Sequence, residues 1–301
     1  MAVATRPRPL AQRILGNQPI GALFVAPYII FLIAVFAYPL GFALYMSFYD
    51  YFFAAPGAVV DRPFVGLDNY TSVLGDPVFR TAVWNIAKFM IINVPLTVVM
   101  SLLLATALNA KLPYRTFFRA AYYVPYVTAS VAIVGIWLFL FNENGLVNAV
   151  LGDLAPQPTW LVNEFWAMPM IALLVTWKGM GFYVLLYLAA LQNVPEELHE
   201  AAAVDGANTI QRFFYITVPG VRPATVLVVI LSTIIGAQIF TESYLLTGGG
   251  GPNNASVTPV LLMYREGIEQ NHPGVAAAIG VLLAIAVMAL ALFNRFVLER
   301  D

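Results

Sequence analysis

Long apolar runs, each closed by a short cluster of polar, proline or glycine residues, set the pattern of this chain. Six of them stand out, at about residues 20 to 48, 84 to 109, 117 to 141, 165 to 192, 224 to 246 and 274 to 298. A hydrocarbon core of about 30 Å takes roughly 20 residues of helix to cross. The pattern therefore predicts an all-α, polytopic integral membrane protein with six transmembrane helices. Pro39, Pro95, Pro125 and Pro169 fall inside four of the runs. There they predict kinks, because neighbouring helices re-satisfy the backbone groups that a proline frees.

One polar interval, Val194 to Pro223, separates the fourth and fifth runs. Asn193 is placed to cap a short helix, with Glu196 completing a capping box and Pro195 tolerated in the first turn. Gly206 ends that helix. Asn208 and Gln211 repeat the cap and box for a second helix, which Pro219 and Pro223 close before the chain turns apolar again. The interval reads as a helix-turn-helix and as a docking device, the plainer alternative being an interfacial amphipathic helix without a partner. Cations fix its side of the membrane, since short cytoplasmic loops collect Lys and Arg. Arg6, Arg8, Arg13, Lys111, Arg115, Arg119, Arg212, Arg222, Arg295 and Arg300 fall on one side, and Arg62, Arg80 and Arg265 on the other. Both termini and the helix-turn-helix are expected in the cytoplasm. The order is then an N-terminal tail over 1–19, a transmembrane domain over 20–298 and a short end at 299–301.

Composition agrees and removes several chemistries. Hydrophobic residues make up 60% and charged residues 10% of 301, against roughly 45–50% and 25% in soluble domains. The first run is much longer than the roughly 7–15 apolar residues of a signal peptide and reads as a retained span. No cysteine is present, which excludes disulfides, Fe–S clusters and thiol chemistry. With two histidines, His/Cys metal clusters and H-E-x-x-H sites drop out, and no G-x-x-x-x-G-K-[ST] pattern occurs. The run Gly248 to Gly251 lacks the following lysine and reads as a flexible extracytoplasmic loop ending in a turn at Pro252. If transport is ATP-driven, another chain binds the ATP. A net charge of −1 gives no field for nucleic acid. Asn69-Tyr-Thr71 and Asn254-Ala-Ser256 match the glycosylation sequon, a pattern too short to carry weight.

Glu200-Ala201-Ala202, Asp205-Gly206-Ala207, Phe213, Ile216, Pro219 and Pro223 match, spacing by spacing, the cytoplasmic EAA loop of permease subunits of binding-protein-dependent ABC importers. The similarity continues through Leu191-Gln192, Val194-Pro195, Trp177-Lys178 and Thr247 to Pro252. The chain resembles the carbohydrate-uptake branch of that family, the first membrane subunit of maltose and glycerol-phosphate importers. The strings Tyr264-Arg265-Glu266-Gly267 and Ile136 to Asn142 lean toward the glycerol-phosphate type, whereas Thr241-Glu242 stands where many relatives carry Asp. The resemblance implies that Glu200, Ala201, Ala202, Asp205, Gly206, Ala207 and Pro219 couple the chain to an ATPase. It also implies a second homologous permease, two ABC ATPase subunits that bind ATP and Mg, and an extracytoplasmic solute-binding protein. The extracytoplasmic segment from about Asp50 to Arg80, which holds the run Pro63 to Tyr70 frequent in such permeases, is expected to cap the outer vestibule. This chain would hold no cofactor and no metal, and would lie among lipids.

Ionisable groups inside the spans are the remaining candidates, because a charge at the bilayer centre costs at least about 2.5–3.5 kcal/mol. Lys178 lies mid-span beside Trp177, Gly179 and Gly181. The resemblance places substrate contacts in the fourth and fifth spans, so Trp177, Lys178 and Gly179 read as a wall of the substrate path, with helix packing as the alternative for Trp177. Gln238 and Glu242, four apart, would share a helix face and offer hydrogen bonds to hydroxyls. Alternatively Glu242 pairs with Lys178 or with the partner permease. Lys88, one turn into the second span, snorkels to the headgroups, and Tyr122, Tyr123 and Tyr126 form an interface belt. An ion-coupled secondary transporter would need more buried carboxylates than Glu242. An intramembrane enzyme would need a nucleophile–base pair that is missing. The solute is a sugar, oligosaccharide, amino sugar or glycerol-phosphodiester, with carbohydrate first for want of a cation cluster in the spans.

Overall fold

Prolines and caps decide where the helices of this chain begin, widen and stop. The computed structural model describes residues 19–110 and 114–298. The expected tail, the end segment, and Arg6, Arg8, Arg13, Lys111 and Arg300 among the orienting cations lie outside the described residues. Helix α1 (residues 19–46) runs from Pro19–Leu32 through a π turn, Ile33–Ala37, into Tyr38–Met46. In that turn the Tyr38 N–H reaches back to the Ile33 carbonyl. Pro39 explains it: the ring supplies no N–H and crowds the carbonyl four residues back, so the preceding turn widens by one residue. After α1 the chain folds over itself. Asn69 Nδ2 donates to the carbonyls of Ser47 (3.0 Å) and Tyr49 (2.9 Å), and Tyr49 bridges to Phe64. The amide of the first sequon is thus spent on structure.

Helix α2 (Asp68–Gly75) leads into α3 (Pro77–Asn109), which starts at Pro77 and not near residue 84 as predicted. The cause is local: Asp76 Oδ1 accepts the Val78 N–H at 2.8 Å and Pro77 fits the first turn. Lys88 is accordingly three turns into the helix, with its Nζ 5.8 Å from the Trp84 ring centroid. Pro95 is held inside unbroken helix.

The third predicted span is two helices, α4 (Arg115–Val127) and α5 (Ser130–Phe141). Pro125 precedes the break, and Thr128 is extended with its hydroxyl returned to the Val124 carbonyl at 2.8 Å. Beyond α5, short turns including α6 (Leu146–Leu151) lead to α7 (Ala167–Leu191). Two short helices follow, α8 (Glu196–Val204) and α9 (Thr209–Gly220), the latter widened by a π turn over Phe213–Thr217 just before Pro219. Helix α10 (Arg222–Gly236) then leaves at 69° to α9.

The fifth predicted span is not one helix. It stops at Gly236, passes through a turn at Ala237 and Gln238 and two irregular residues, and resumes as α11 (Thr241–Leu246). The freed carbonyls find side chains: Gln238 Nε2 donates to Ile234 O at 3.0 Å, and Thr258 Oγ1 to Ile239 O at 2.9 Å. Irregular backbone at membrane depth is tolerated where it is satisfied in this way or lines a cavity. Helix α12 (Pro259–Tyr264) and α13 (Pro273–Leu298) complete the chain. Among the described residues five helices are long and apolar enough to cross a membrane, and six if α9 with α10 counts as one bent span.

Helices α3 and α7 are the axis of the bundle, and two apolar cores sit on them. One joins Ile86 and Phe89 of α3 to Trp137 of α5, to Ile171 and Leu174 of α7, and to Leu246 of α11. The other joins Leu102 and Leu108 of α3 to Tyr187 and Leu188 of α7 and to Val228 of α10. In lipid such helices associate through close packing more than through the hydrophobic effect. Gly181 shows this: a Cβ there would sit 2.2 Å from the Tyr122 carbonyl oxygen, so only glycine lets α7 meet α4.

Candidate functional site

Between the two cores, at the middle of α3 and α7, the packing opens into a cavity of about 270 Å³. Its polar lining comes from Asn93 and Thr97 of α3, Ser130 of α5, Lys178 of α7, Ser232 of α10, Gln238 after it, and Thr241 and Glu242 of α11. The aromatic lining comes from Tyr126, Phe182, Tyr183 and Phe240. Tyr126 and Phe182 stack at 5.2 Å, and Phe240 stacks on Tyr244 at 5.4 Å. Breaks in helices create this space. Ser130 opens α5 after the interruption at Thr128, and Gln238, Ile239 and Phe240 belong to the non-helical link after α10. Gly236 keeps α10 close to α3, where a Cβ would meet the Phe89 ring at 3.0 Å.

Lys178, Gly179, Gln238 and Glu242, singled out from the sequence, all line this one cavity. The reason differs from the expectation for Gln238 and Glu242. They do not share a helix face, since α10 ends before one and α11 begins just before the other. Lys178 Nζ lies 3.5 Å from Glu242 Oε1 and also donates to Ser130 Oγ, so the intramembrane charges are paired with each other. Pairing offsets the cost of holding either charge at membrane depth. Trp177 is not among the lining residues. Its ring lies 6.3 Å from that of Trp137, a packing contact between α7 and α5.

Sequence reasoning missed Asn93, Thr97, Ser130 and Ser232, and set Tyr126 aside as an interface residue. A signal existed for α3. Asn85, Asn93, Thr97 and Ser101 are all buried and recur at helical spacing along an otherwise apolar helix. The amide of Asn93 donates to Thr176 Oγ1 at 2.8 Å, fastening α3 to α7 at the cavity wall. Asn85 donates to the carbonyls of Asn254 and Val257, holding the glycine loop instead.

That loop is built, not loose. Gly248, Gly249, Gly250 and Gly251 all have positive φ, a conformation costly to any other residue. Arg265 donates to the Gly249 carbonyl and, at 3.0 Å, to Asn254 Oδ1, while Ser256 N–H donates to Gly250 O at 2.9 Å.

The interval after α7 presents a second surface. Asn193 does not cap α8. Its amide turns back to the Ala189 carbonyl at 3.1 Å, because the open end of α7 is nearer, and extended Pro195 takes the cap position without a side-chain bond. The far end of α8 closes with Gly206 at φ 82°, its N–H on Ala203 O at 3.1 Å and the Ala207 N–H on Ala202 O at 2.8 Å. This is the paired closure of a Schellman motif, which needs a left-handed residue at that point. The Asn208–Gln211 capping box forms in both directions, at 2.9 and 2.8 Å. Glu200, Ala201, Asp205, Gly206 and Pro219 are exposed, Ala202 and Ala207 half-buried, and no residue of α8 is buried.

The model of the family described as the inner membrane component of binding-protein-dependent transport systems matches residues 97–300. The chain belongs to this family. Among relatives, the permease is 38% identical over 276 residues to the arabinooligosaccharides transport system permease protein AraP of Bacillus subtilis, covering 90% of this chain and 86% of AraP. It is 36% identical over 250 residues to the lactose transport system permease protein LacF of Rhizobium radiobacter, covering 81% and 82%. A chain from the crystal structure of a bacterial ABC transporter involved in the import of alginate, an acidic polysaccharide, matches with a TM-score of 0.78. That likeness covers 96% of the permease and 98% of the other chain at 22% identity, and speaks to the fold. The permease is thus a multi-pass membrane protein of a prokaryotic ABC transport system and a transport component.

Proposed function

We propose that the permease carries a saccharide across the inner membrane as the membrane subunit of an ATP-driven importer, with the cavity between α3, α5, α7 and α10–α11 as its substrate path. The cavity itself carries the reading: aromatic faces suited to the C–H faces of sugar rings stand beside hydroxyl, amide and charged groups suited to their hydroxyls. Lys178, Gly179, Gln238 and Glu242 would touch solute, and Trp177 would brace α7 against α5. Relatives named for arabinooligosaccharides and lactose favour carbohydrate over an ion-coupled solute.

In the same reading residues 20–298 form the transmembrane domain, both termini face the cytoplasm, and α8 with its turn is the coupling element. Its exposed apolar side chains, Leu198 and Val204, share α8 with Glu196, Glu197 and Glu200, as suits insertion into a cleft of a partner. Glu200 would meet a basic group on the ATPase, and the Asp205–Gly206 corner would pass on its rigid-body movement. A second permease would close the path. Two ATPase subunits would bind ATP and Mg, and a solute-binding protein would deliver the ligand. The segment from about Asp50 to Arg80 would cap the outer vestibule.

The test is reconstitution of the chain with its partner permease, ATPase and binding protein in liposomes, measuring uptake of labelled arabinotriose and lactose. ATP-dependent uptake of either is the expected result. Gradient-driven transport by this chain alone would overturn it.

A further inference from the structure

The charged side chains lining the cavity are Lys178 and Glu242, of opposite sign and in contact at 3.5 Å. The rest of the wall is hydroxyl, amide, aromatic or aliphatic. The cavity therefore carries a counter-ion pair and no net charge. Both side chains keep some exposure, 19% for Lys178 and 11% for Glu242, so each can be reached from the cavity. Among the described residues the ammonium is committed to Ser130 Oγ and Glu242 Oε1, and Oε2 of Glu242 meets no donor. A lysine has three N–H groups and a carboxylate two acceptor oxygens. One N–H and one oxygen remain for a ligand.

This arrangement treats neutral and acidic sugars differently. Two neighbouring hydroxyls of a neutral saccharide can accept from Lys178 and donate to Glu242 without separating the charges. A carboxylated sugar brings a second anion to the same place. It can take the remaining N–H of Lys178 only beside the Glu242 carboxylate, so that two anions share one cation where water is scarce. The fold does not make this choice, because a chain of the same fold belongs to a transporter involved in importing an acidic polysaccharide. The side chains must.

We propose that the Lys178–Glu242 pair is a charge filter that lets the path accept neutral saccharides and reject acidic ones. Glu242 is the rejecting group, and Ser130 holds Lys178 in place beside it. The proposal rests on the reading of the cavity as the sugar path and extends it to ligand charge.

Saturation-transfer NMR on the purified importer complex without its binding protein, given arabinotriose and trigalacturonate together, tests this directly. Wild type should contact arabinotriose in preference to trigalacturonate by about tenfold or more. Glu242→Gln, which leaves the ammonium alone, should reverse or abolish that preference. The exchange Lys178→Glu with Glu242→Lys should retain it. If Glu242→Gln does not assemble, the neutral pair Lys178→Gln with Glu242→Gln carries the test and should contact both sugars alike. Arabinotriose still preferred by the same margin in Glu242→Gln or in the neutral pair would overturn the filter while leaving the path intact. Contact with neither sugar in wild type would overturn the path, and the filter with it.

Discussion

Gly206 turns a corner that no other residue turns cheaply. At φ 82° with open space where a Cβ would go, its requirement is conformational and not steric. Gly206→Ala should therefore cost only about 1 kcal/mol, whereas Gly206→Pro, whose ring fixes φ near −65°, cannot close the Schellman motif. Uptake in the reconstituted importer should fall modestly in the first and vanish in the second, with membrane insertion intact. Near-normal uptake in Gly206→Pro would remove the corner from coupling. Glu200→Lys, which reverses the charge on the exposed face of α8, should also abolish uptake, read alongside recovery of the ATPase with the permease. Gly181 is the opposite case, since a Cβ there meets backbone at 2.2 Å. Gly181→Leu should separate α4 from α7 and lower the thermal stability of the complex, and an unchanged melting temperature would mean that α4 can slide.

Helices carry a different lesson, visible at Thr258. Its hydroxyl donates to the Ile239 carbonyl freed by the end of α10 and accepts the Leu261 N–H that opens α12, at 2.9 and 3.2 Å, and the residue is fully buried. Thr258→Val removes both bonds and should cost about 1–3 kcal/mol, measured as a lower unfolding temperature of the purified complex. A loss within error would show that the break at 237–240 is held by other means. Such contacts explain what the sequence could and could not reveal. The Asn208–Gln211 box was legible because both partners lie within one turn. Apolar length located the membrane-depth segments for the same local reason. The break after Val127 was partly legible, since Pro125 predicted a kink and Thr128 answers Val124 within one turn, whereas the break after Gly236 was not, because apolar composition says nothing of backbone continuity and Thr258, which bonds the Ile239 carbonyl, comes from later in the chain. The candidate site was half legible for that reason. Lys178 and Glu242 announced themselves as charges among apolar residues, while Ser130 joined them only through the fold, and Asn193 was misread because the end of α7 competed for its amide.

For the whole molecule, the sidedness of the membrane is the statement on which coupling depends, and the chain itself supplies a clean probe. It has no cysteine, so a single introduced thiol is the only one a maleimide can label on it. Val59, 103% exposed in the segment between α1 and α2, and Val204, 88% exposed at the end of α8, lie on opposite sides if the positive-inside pattern holds. Val59→Cys should react with an impermeant maleimide in intact spheroplasts and Val204→Cys should not. In inside-out vesicles the order should reverse. Val204→Cys should further be protected while the ATPases are bound and become reactive once they are stripped off, because the proposed docking would cover it. Labelling of Val204→Cys from outside would place α8 away from the ATP and dismiss its coupling role. Inside labelling that ignores the ATPases would keep the topology and move the docking surface elsewhere on the chain.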